Sequence, residues 1–159
     1  MGKKKDMQRL IRAYKDETGE LEIDMHKVAK YAAGKGWPLP KPTSPLDLLA
    51  KQFTDAARQE YGRDPTTGKP YRVYHAVPVT SGQTTLFNWV DINEAPRKVM
   101  HKSLINRREQ MIGDGVQLTL DARYWNGRNP NEEPIEVPMD FSLDVEWRLN
   151  APDNDEEAA

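Results

Sequence analysis

The chain has 159 residues, 37% hydrophobic and 30% charged, which suits one domain with a core or a small domain with a helical appendage. Its mean hydropathy is -0.84, and no apolar run approaches the roughly 18 residues that a membrane helix needs. The absence of cysteine excludes disulfides, thiolate zinc sites and cysteine nucleophiles. We therefore expect a cytoplasmic protein without a membrane partner.

Charge is distributed unevenly although the net charge is only -2. Residues 1–128 carry 22 Lys and Arg against 15 Asp and Glu, or +7, whereas residues 129–159 carry Arg148 against ten acids, or -9. A basic body with an acidic tail is common among nucleic-acid binders, in which the tail limits non-specific contact. The alternative is a solvated, partly disordered terminus, which the composition of residues 152–159 favours.

The first predicted element is a helix. Its apolar residues recur at helical spacing from Met7 to Tyr14, and the segment ends near Gly19. Residues 20–23 then alternate between polar and apolar side chains, a pattern that predicts a short strand.

Two further helices are predicted around a stiff loop. Asp24 can cap a helix over residues 24–33, and residues 35–43 contain three prolines that favour a loop. Ser44 is a suitable N-cap for a third helix over residues 45–61. The apolar stripe of this third helix is expected to face a core, and it comprises Leu46, Leu49, Ala50, Phe53, Ala57 and Tyr61.

A hairpin follows the third helix. Residues 71–80 and 84–92 alternate like strands, and residues 81–83 form a tight polar turn between them. Trp89 in the second strand, like Trp125 and Trp147 later in the chain, is expected to anchor a core or an interface rather than to stack on bases.

The last third of the chain is predicted to be mainly helical. A helix over residues 97–124 is indicated by apolar side chains at four- and seven-residue intervals, namely Met100, Leu104, Met111 and Leu118. Gly113 and Gly115 could break it, in which case residues 116–120 would form a strand. A loop is expected over residues 126–134 and a short final helix over residues 140–149.

A basic cluster is predicted on the face of this long helix opposite its apolar stripe. It could track phosphates, pair with the acidic tail or contribute only to solubility, and it comprises Arg97, Lys98, Lys102, Arg107 and Arg108.

The order of elements resembles that of winged helix-turn-helix domains. The resemblance rests on the strand at 20–23, the helices at 24–33 and 45–61, and the hairpin at 71–92. It implies an α+β protein, a winged-helix-like domain (helix, strand, helix, helix, hairpin) with a C-terminal helical extension. The domains are then residues 1–92, which bind nucleic acid, residues 93–151, which form the helical extension, and an acidic disordered tail at 152–159.

The resemblance also implies which residues contact duplex DNA. A helix fits the major groove, so the third helix would contact base edges through Lys51, Gln52, Thr54 and Arg58. The wing and its approach would contact phosphates through Arg63, Lys69 and Arg72.

Enzyme motifs are not apparent. Residues 62–69 end in Gly-Lys after a loop, but Pro70 stands where a phosphate-binding P-loop requires Ser or Thr. His26, His75 and His101 are far apart and match no metal-binding spacing, so each is expected at a surface or boundary. We therefore predict no catalytic residues, no metal site and no cofactor.

Two functions remain. The first is a DNA-binding protein, a dimeric transcriptional regulator that reads duplex DNA with helix 45–61 and wing 71–92. The stripe on helix 97–124 would form the homodimer interface or, alternatively, complete a core against the wing. The alternative is a non-catalytic accessory or protein-interaction subunit with the same fold, which docks on a protein partner through its acidic C-terminal segment.

Overall fold

The computed structural model describes residues 2–152, the side chain of Thr84 excepted. The protein is α+β, as the sequence predicts. In chain order its elements are α1 (Lys3–Thr18), α2 (Met25–Gly34), α3 (Pro45–Arg58), β1 (Tyr61–Arg63), β2 (Pro70–Arg72), β3 (Tyr74–Ser81), β4 (Thr84–Asp91), α4 (Arg97–Arg128) and α5 (Ser142–Asn150). None of the described helices is both long and apolar enough to cross a membrane.

The chain forms two compact units that divide between Gln52 and Phe53. This division falls inside α3. The acidic tail predicted at residues 152–159 lies, from residue 153 onward, outside the described residues.

In the first unit α1 packs against α2 through two tyrosines. The Tyr14 ring is buried and meets the Tyr31 ring edge-on, with 5.6 Å between centroids. The Tyr14 hydroxyl donates to Glu20 and the Tyr31 hydroxyl to Glu17, both at 2.9 Å. The bond to Glu20 is the main reason that the pKa of Tyr14 is raised, whereas for Tyr31 the largest cause is burial, followed by the bond to Glu17.

The strand predicted at residues 20–23 does not form, and that prediction is wrong. Residues 19–24 instead make an irregular connection between α1 and α2. Gly19 ends α1 in the left-handed region at φ 69°, and the Asp24 side chain accepts from the His26 amide to cap α2, as expected. A four-residue alternation cannot become a strand without a partner for its backbone, and Glu20 is already held by Tyr14 and Lys27.

Helix α3 begins where the sequence predicts, since the Asp47 amide donates to the Ser44 hydroxyl oxygen at 3.2 Å. It ends at Arg58 instead of residue 61, because Tyr61 belongs to β1. Its apolar stripe is exposed rather than packed, with Leu46 78% and Phe53 68% accessible. The expectation that this stripe enters a core is therefore wrong for the described chain, in which no residue of α3 is buried.

The predicted hairpin forms from β3 and β4, and a second, short hairpin that was not predicted forms from β1 and β2. Residues 70–72 pair with residues 61–63, and β3 pairs with β4 so that Ala76 faces Trp89 and Ser81 faces Thr84. The strand predicted over residues 71–80 is interrupted at Val73. The Val73 amide donates to the Glu60 carbonyl next to β1, and the Val73 carbonyl accepts from the Ile92 amide next to β4. The predicted turn is confirmed, with Gly82 at φ 61° at its start.

Helix α4 supports the long hairpin. The Ser103 hydroxyl, fully buried, donates to the Ala76 carbonyl at 2.6 Å, and β3 contributes the buried Val77. The helix is continuous to residue 128, so the predicted helix is confirmed and the strand alternative for 116–120 is wrong. The loop predicted from residue 126 accordingly begins at 129, and the predicted final helix is confirmed as α5.

Candidate nucleic-acid interface

A cleft of about 500 Å³ lies beside the long hairpin, entirely within the second unit. Three arginines and four ring-bearing side chains give it a basic and aromatic character. Its lining, called here the arginine cleft, comprises Thr54, Arg58, Arg72, Tyr74, His75, Ala76, Phe87, Trp89, Arg107 and Gln110. These residues come from α3, β2, β3, β4 and α4.

The peptide of Val73 positions one side of the arginine cleft. Its amide donates to the Glu60 carbonyl at 3.1 Å, and its carbonyl accepts from the Ile92 amide at 2.9 Å. These two bonds join the residues after α3 to the start of β3 and the end of β4. Arg58 lies two residues before Glu60, and Arg72 lies directly before Val73. The bonds at Val73 therefore bring both arginines to the same cleft.

The bond between Ser103 and Ala76 positions the opposite side. It fixes α4 against β3 at a buried point where little movement is allowed. Arg107 follows Ser103 by four residues, about one helical turn, and therefore projects near the same edge of the hairpin. Gln110 lies a further turn along and completes the lining.

Aromatic rings form the wall against which the charges lie. Arg58 stacks over Trp89, with its Cζ atom 5.7 Å from the ring centroid, a favourable cation–π geometry. Trp89 is half-buried and its neighbour Phe87 is exposed. Trp89 also borders a second depression, whose lining is mainly apolar and includes Glu60.

The His75 side chain lies beside these aromatic rings and is hydrogen-bonded to the backbone. It is 6% exposed, and its Nε2 atom donates to the Arg72 carbonyl at 2.8 Å when that nitrogen carries the proton. This bond fixes the ring and the chain at the junction of β2 and β3. The expectation of a surface or boundary histidine is therefore wrong for His75, which is buried.

The charged side chains that line the arginine cleft are all basic. Within residues 2–152 no carboxylate lines it, and Arg58, Arg72 and Arg107 form no ion pair there. Three like charges around one concavity repel one another unless an anion is placed among them. The cleft is accordingly suited to a phosphate or another anionic group.

The structure brings together only part of the predicted DNA-contact set. Thr54, Arg58 and Arg72 line the arginine cleft, whereas the other four predicted residues do not. Lys51 and Gln52 are exposed on α3. Arg63 and Lys69 belong to the short hairpin segment, where the Arg63 guanidinium donates to the Gly68 carbonyl at 2.9 Å.

Sequence reasoning missed Arg107, Trp89 and His75 as members of one site. The prediction that five basic residues share one face of the long helix, opposite its apolar stripe, is wrong. Arg107 lines the arginine cleft, whereas Arg108 lies among apolar residues of α4 such as Met111 and Ile112. The only local signal is Ser103, a small polar residue in the position one turn earlier, which marks where α4 approaches another backbone.

In the part of the chain that the structure describes, no three His, Asp or Glu side chains are grouped so that they could hold a metal ion. Comparison of the chain with protein-family models, with curated proteins and with solved structures gave no match.

Proposed function

We propose that this protein binds DNA and that the arginine cleft holds the phosphate backbone. The observation that carries the proposal is the convergence of Arg58, Arg72 and Arg107 in a concavity without a carboxylate in its described lining. Guanidinium groups donate two parallel hydrogen bonds to phosphate oxygens, which makes arginine well suited to this contact. Three such groups would supply a salt-dependent affinity.

Helix α3 supplies the element that would read the bases. Its polar face carries the exposed Lys51 and Gln52 and the half-buried Thr54, with Arg58 one turn beyond Thr54. These side chains recur at helical spacing, and a helix of this kind fits the major groove. We propose that Arg58 belongs to both parts of the interface, because its stem lies on α3 and its head stacks on Trp89.

The winged-helix resemblance and the role of transcriptional regulator belong to the same proposal. The exposed outer half of the long hairpin, with Leu86 and Phe87 at 55% and 48% accessibility, supports its use as a wing. An accessory protein-binding subunit is the second candidate, supported by the exposed apolar residues of α5.

The test is fluorescence anisotropy with a labelled random-sequence duplex, starting at about 50 mM salt, where electrostatic binding is strong. We expect the binding constant to fall steeply as salt rises. Replacing Arg72 or Arg107 by Ala should weaken binding to all sequences and reduce the salt slope by roughly one for each lost phosphate contact. Trp89→Leu should also weaken binding, because it removes the surface that orients Arg58.

Arg128→Ala is the matched control. It removes the same charge from the exposed end of α4 but lies outside the arginine cleft, so its salt slope should stay close to that of the unaltered protein. Single-stranded DNA of equal length, measured in parallel, shows whether the duplex is preferred. If the unaltered protein does not bind either probe at about 50 mM salt, the DNA proposal is wrong and the accessory-subunit function takes its place.

A further inference from the structure

The face of α4 opposite the hairpin is apolar and exposed. A helix turns about 100° per residue, so Ile112, nine residues after the buried Ser103, lies on the opposite side of α4. Ile112 and Val116 are 42% and 55% accessible. This face forms the floor of a groove of about 550 Å³ with Arg108 and Arg123 at its two ends, called here the α4 groove.

One wall of the α4 groove is formed by the segment that returns along the helix. Asn126 anchors it twice, since its side-chain amide donates to the Ile135 carbonyl at 3.0 Å and its side-chain oxygen accepts from the Ile135 amide at 2.9 Å. Met139 then lies over Gly115, where a Cβ added to the glycine would be 3.4 Å from the Met139 Sδ atom. The groove is therefore bounded by ordered backbone and is more than a row of exposed side chains.

Helix α5 has the properties of a segment that fills such a groove. All of its residues are exposed, and Leu143 and Trp147 are 66% and 74% accessible. These two residues are four apart and form one stripe, and by helical geometry Asp144 and Glu146 flank this stripe on either side. A helix of nine residues is too short to be stable in water by itself, so its formation requires a surface to pack on.

The charges of the two features are complementary. The apolar floor of the α4 groove ends in Arg108 and Arg123, and the apolar stripe of α5 is bordered by carboxylates. Arg108 lies 3.9 Å from Glu109, but both side chains are about two-thirds exposed, and such a pair contributes little. The arginines are roughly 22 Å apart along the helix and α5 is roughly 14 Å long, so the groove is long enough to take it.

We propose that α5 of one copy docks in the α4 groove of a second copy, and that the exchange is reciprocal. In its own chain α5 follows Phe141, which already lines the groove, yet α5 itself stays exposed. Reciprocal docking buries Trp147 and Leu143 of each copy and places their flanking carboxylates near Arg108 and Arg123 of the other. A second copy thus covers both the exposed helix and the exposed groove.

A two-variant mixing experiment tests this exchange by multi-angle light scattering. Variant one carries Arg108→Glu and Arg123→Glu, and variant two carries Asp144→Arg and Glu146→Arg. Each variant alone opposes like charges, so we expect the mass to fall twofold, from the dimer to the 18.2 kDa of one chain. Mixed together they restore opposite charges at both grooves, and the dimer mass should return.

Controls separate this exchange from the alternatives. The double variant Lys98→Glu and Arg128→Glu makes the same charge change on α4 outside the groove and should remain a dimer. Trp147→Asp, at an exposed position that should not disturb the monomer's fold, should be a monomer with unchanged circular dichroism. The proposal is overturned if the unaltered protein has the mass of one chain, if either charge variant alone stays dimeric, or if the mixture stays monomeric.

Discussion

Ser103 shows how a single side chain can fix the relation between two elements. It is the fully buried residue at the contact between α4 and β3, and its hydroxyl donates to the Ala76 carbonyl at 2.6 Å. A buried carbonyl that loses its donor is costly, and a site with no accessible surface has no room for a larger group. The register of α4 on the hairpin, and with it the position of Arg107, therefore depends on a small polar residue.

Two different replacements of Ser103 should lower the free energy of unfolding to different extents. Ser103→Ala is expected to lower the free energy of unfolding by about 1 kcal/mol through loss of the hydrogen bond. Ser103→Leu should cost more, because overpacking adds about 1 to 3 kcal/mol. Urea unfolding followed by circular dichroism measures both. Ser81→Ala, at an exposed position on the same hairpin, should change stability by less than about 0.5 kcal/mol, and equal effects at the two serines would contradict the buried role.

At the scale of elements, predictions succeeded where local chemistry decides the structure. Ser44 and Asp24 cap their helices as expected because a cap depends only on the next three residues. Helix α4 persists through Gly113 and Gly115 because each costs only about 1 kcal/mol relative to alanine, and in a helix of 32 residues a backbone hydrogen bond is added for each further residue. The strand at 20–23 failed because a strand needs a partner that sequence alone does not identify.

The candidate site was less predictable for a related reason. Arg58 and Arg72 could be singled out from their elements, but their meeting with Arg107 depends on the Val73 backbone bonds and on the contact at Ser103. Neither is encoded in a periodic pattern. The prediction that the apolar stripe of α3 around Phe53 enters a core was wrong for another reason. An amphipathic pattern predicts that the apolar face is covered but does not identify what covers it.

Helix α5 is expected to respond to acid through Asp140. The Ser142 backbone amide donates to the Asp140 carboxylate at 3.1 Å, and this bond, with a second from the Ser142 side chain, lowers the pKa of Asp140 below its usual 3.8. A lowered pKa means that the stabilising contribution is fully present above the unfolded value and is lost as the pH falls through the lower folded value.

The start of α5 should accordingly loosen below about pH 4. A nuclear magnetic resonance titration should show the Ser142 amide shifting with the Asp140 carboxyl group. In Asp140→Asn, which keeps an acceptor oxygen but cannot ionise, that titration step should disappear. A Ser142 amide that follows the same titration in both proteins would show that Asp140 does not hold the helix.

At the scale of the whole molecule, the net charge of -2 conceals two regions of opposite sign. The basic region carries the arginine cleft and the α4 groove, and the acidic region begins after α4. An acidic segment tethered to a basic surface competes with external anions at high effective concentration. The same segment contains α5, so acidic residues in this region bear on both the proposed DNA binding and the proposed self-association.

Deleting residues 152–159 isolates the first of these effects, because it leaves α5 intact and removes Asp153, Asp155, Glu156 and Glu157. The net charge changes from -2 to +2, so affinity for a random-sequence duplex should rise at about 50 mM salt and the difference should shrink as screening increases. A full-length protein in which the four acids are replaced by Asn and Gln separates charge from chain length and should bind as tightly as the deletion. Light scattering on both should give the unaltered mass. If neither change affects duplex affinity at low salt, the tail does not compete with DNA for the basic surface.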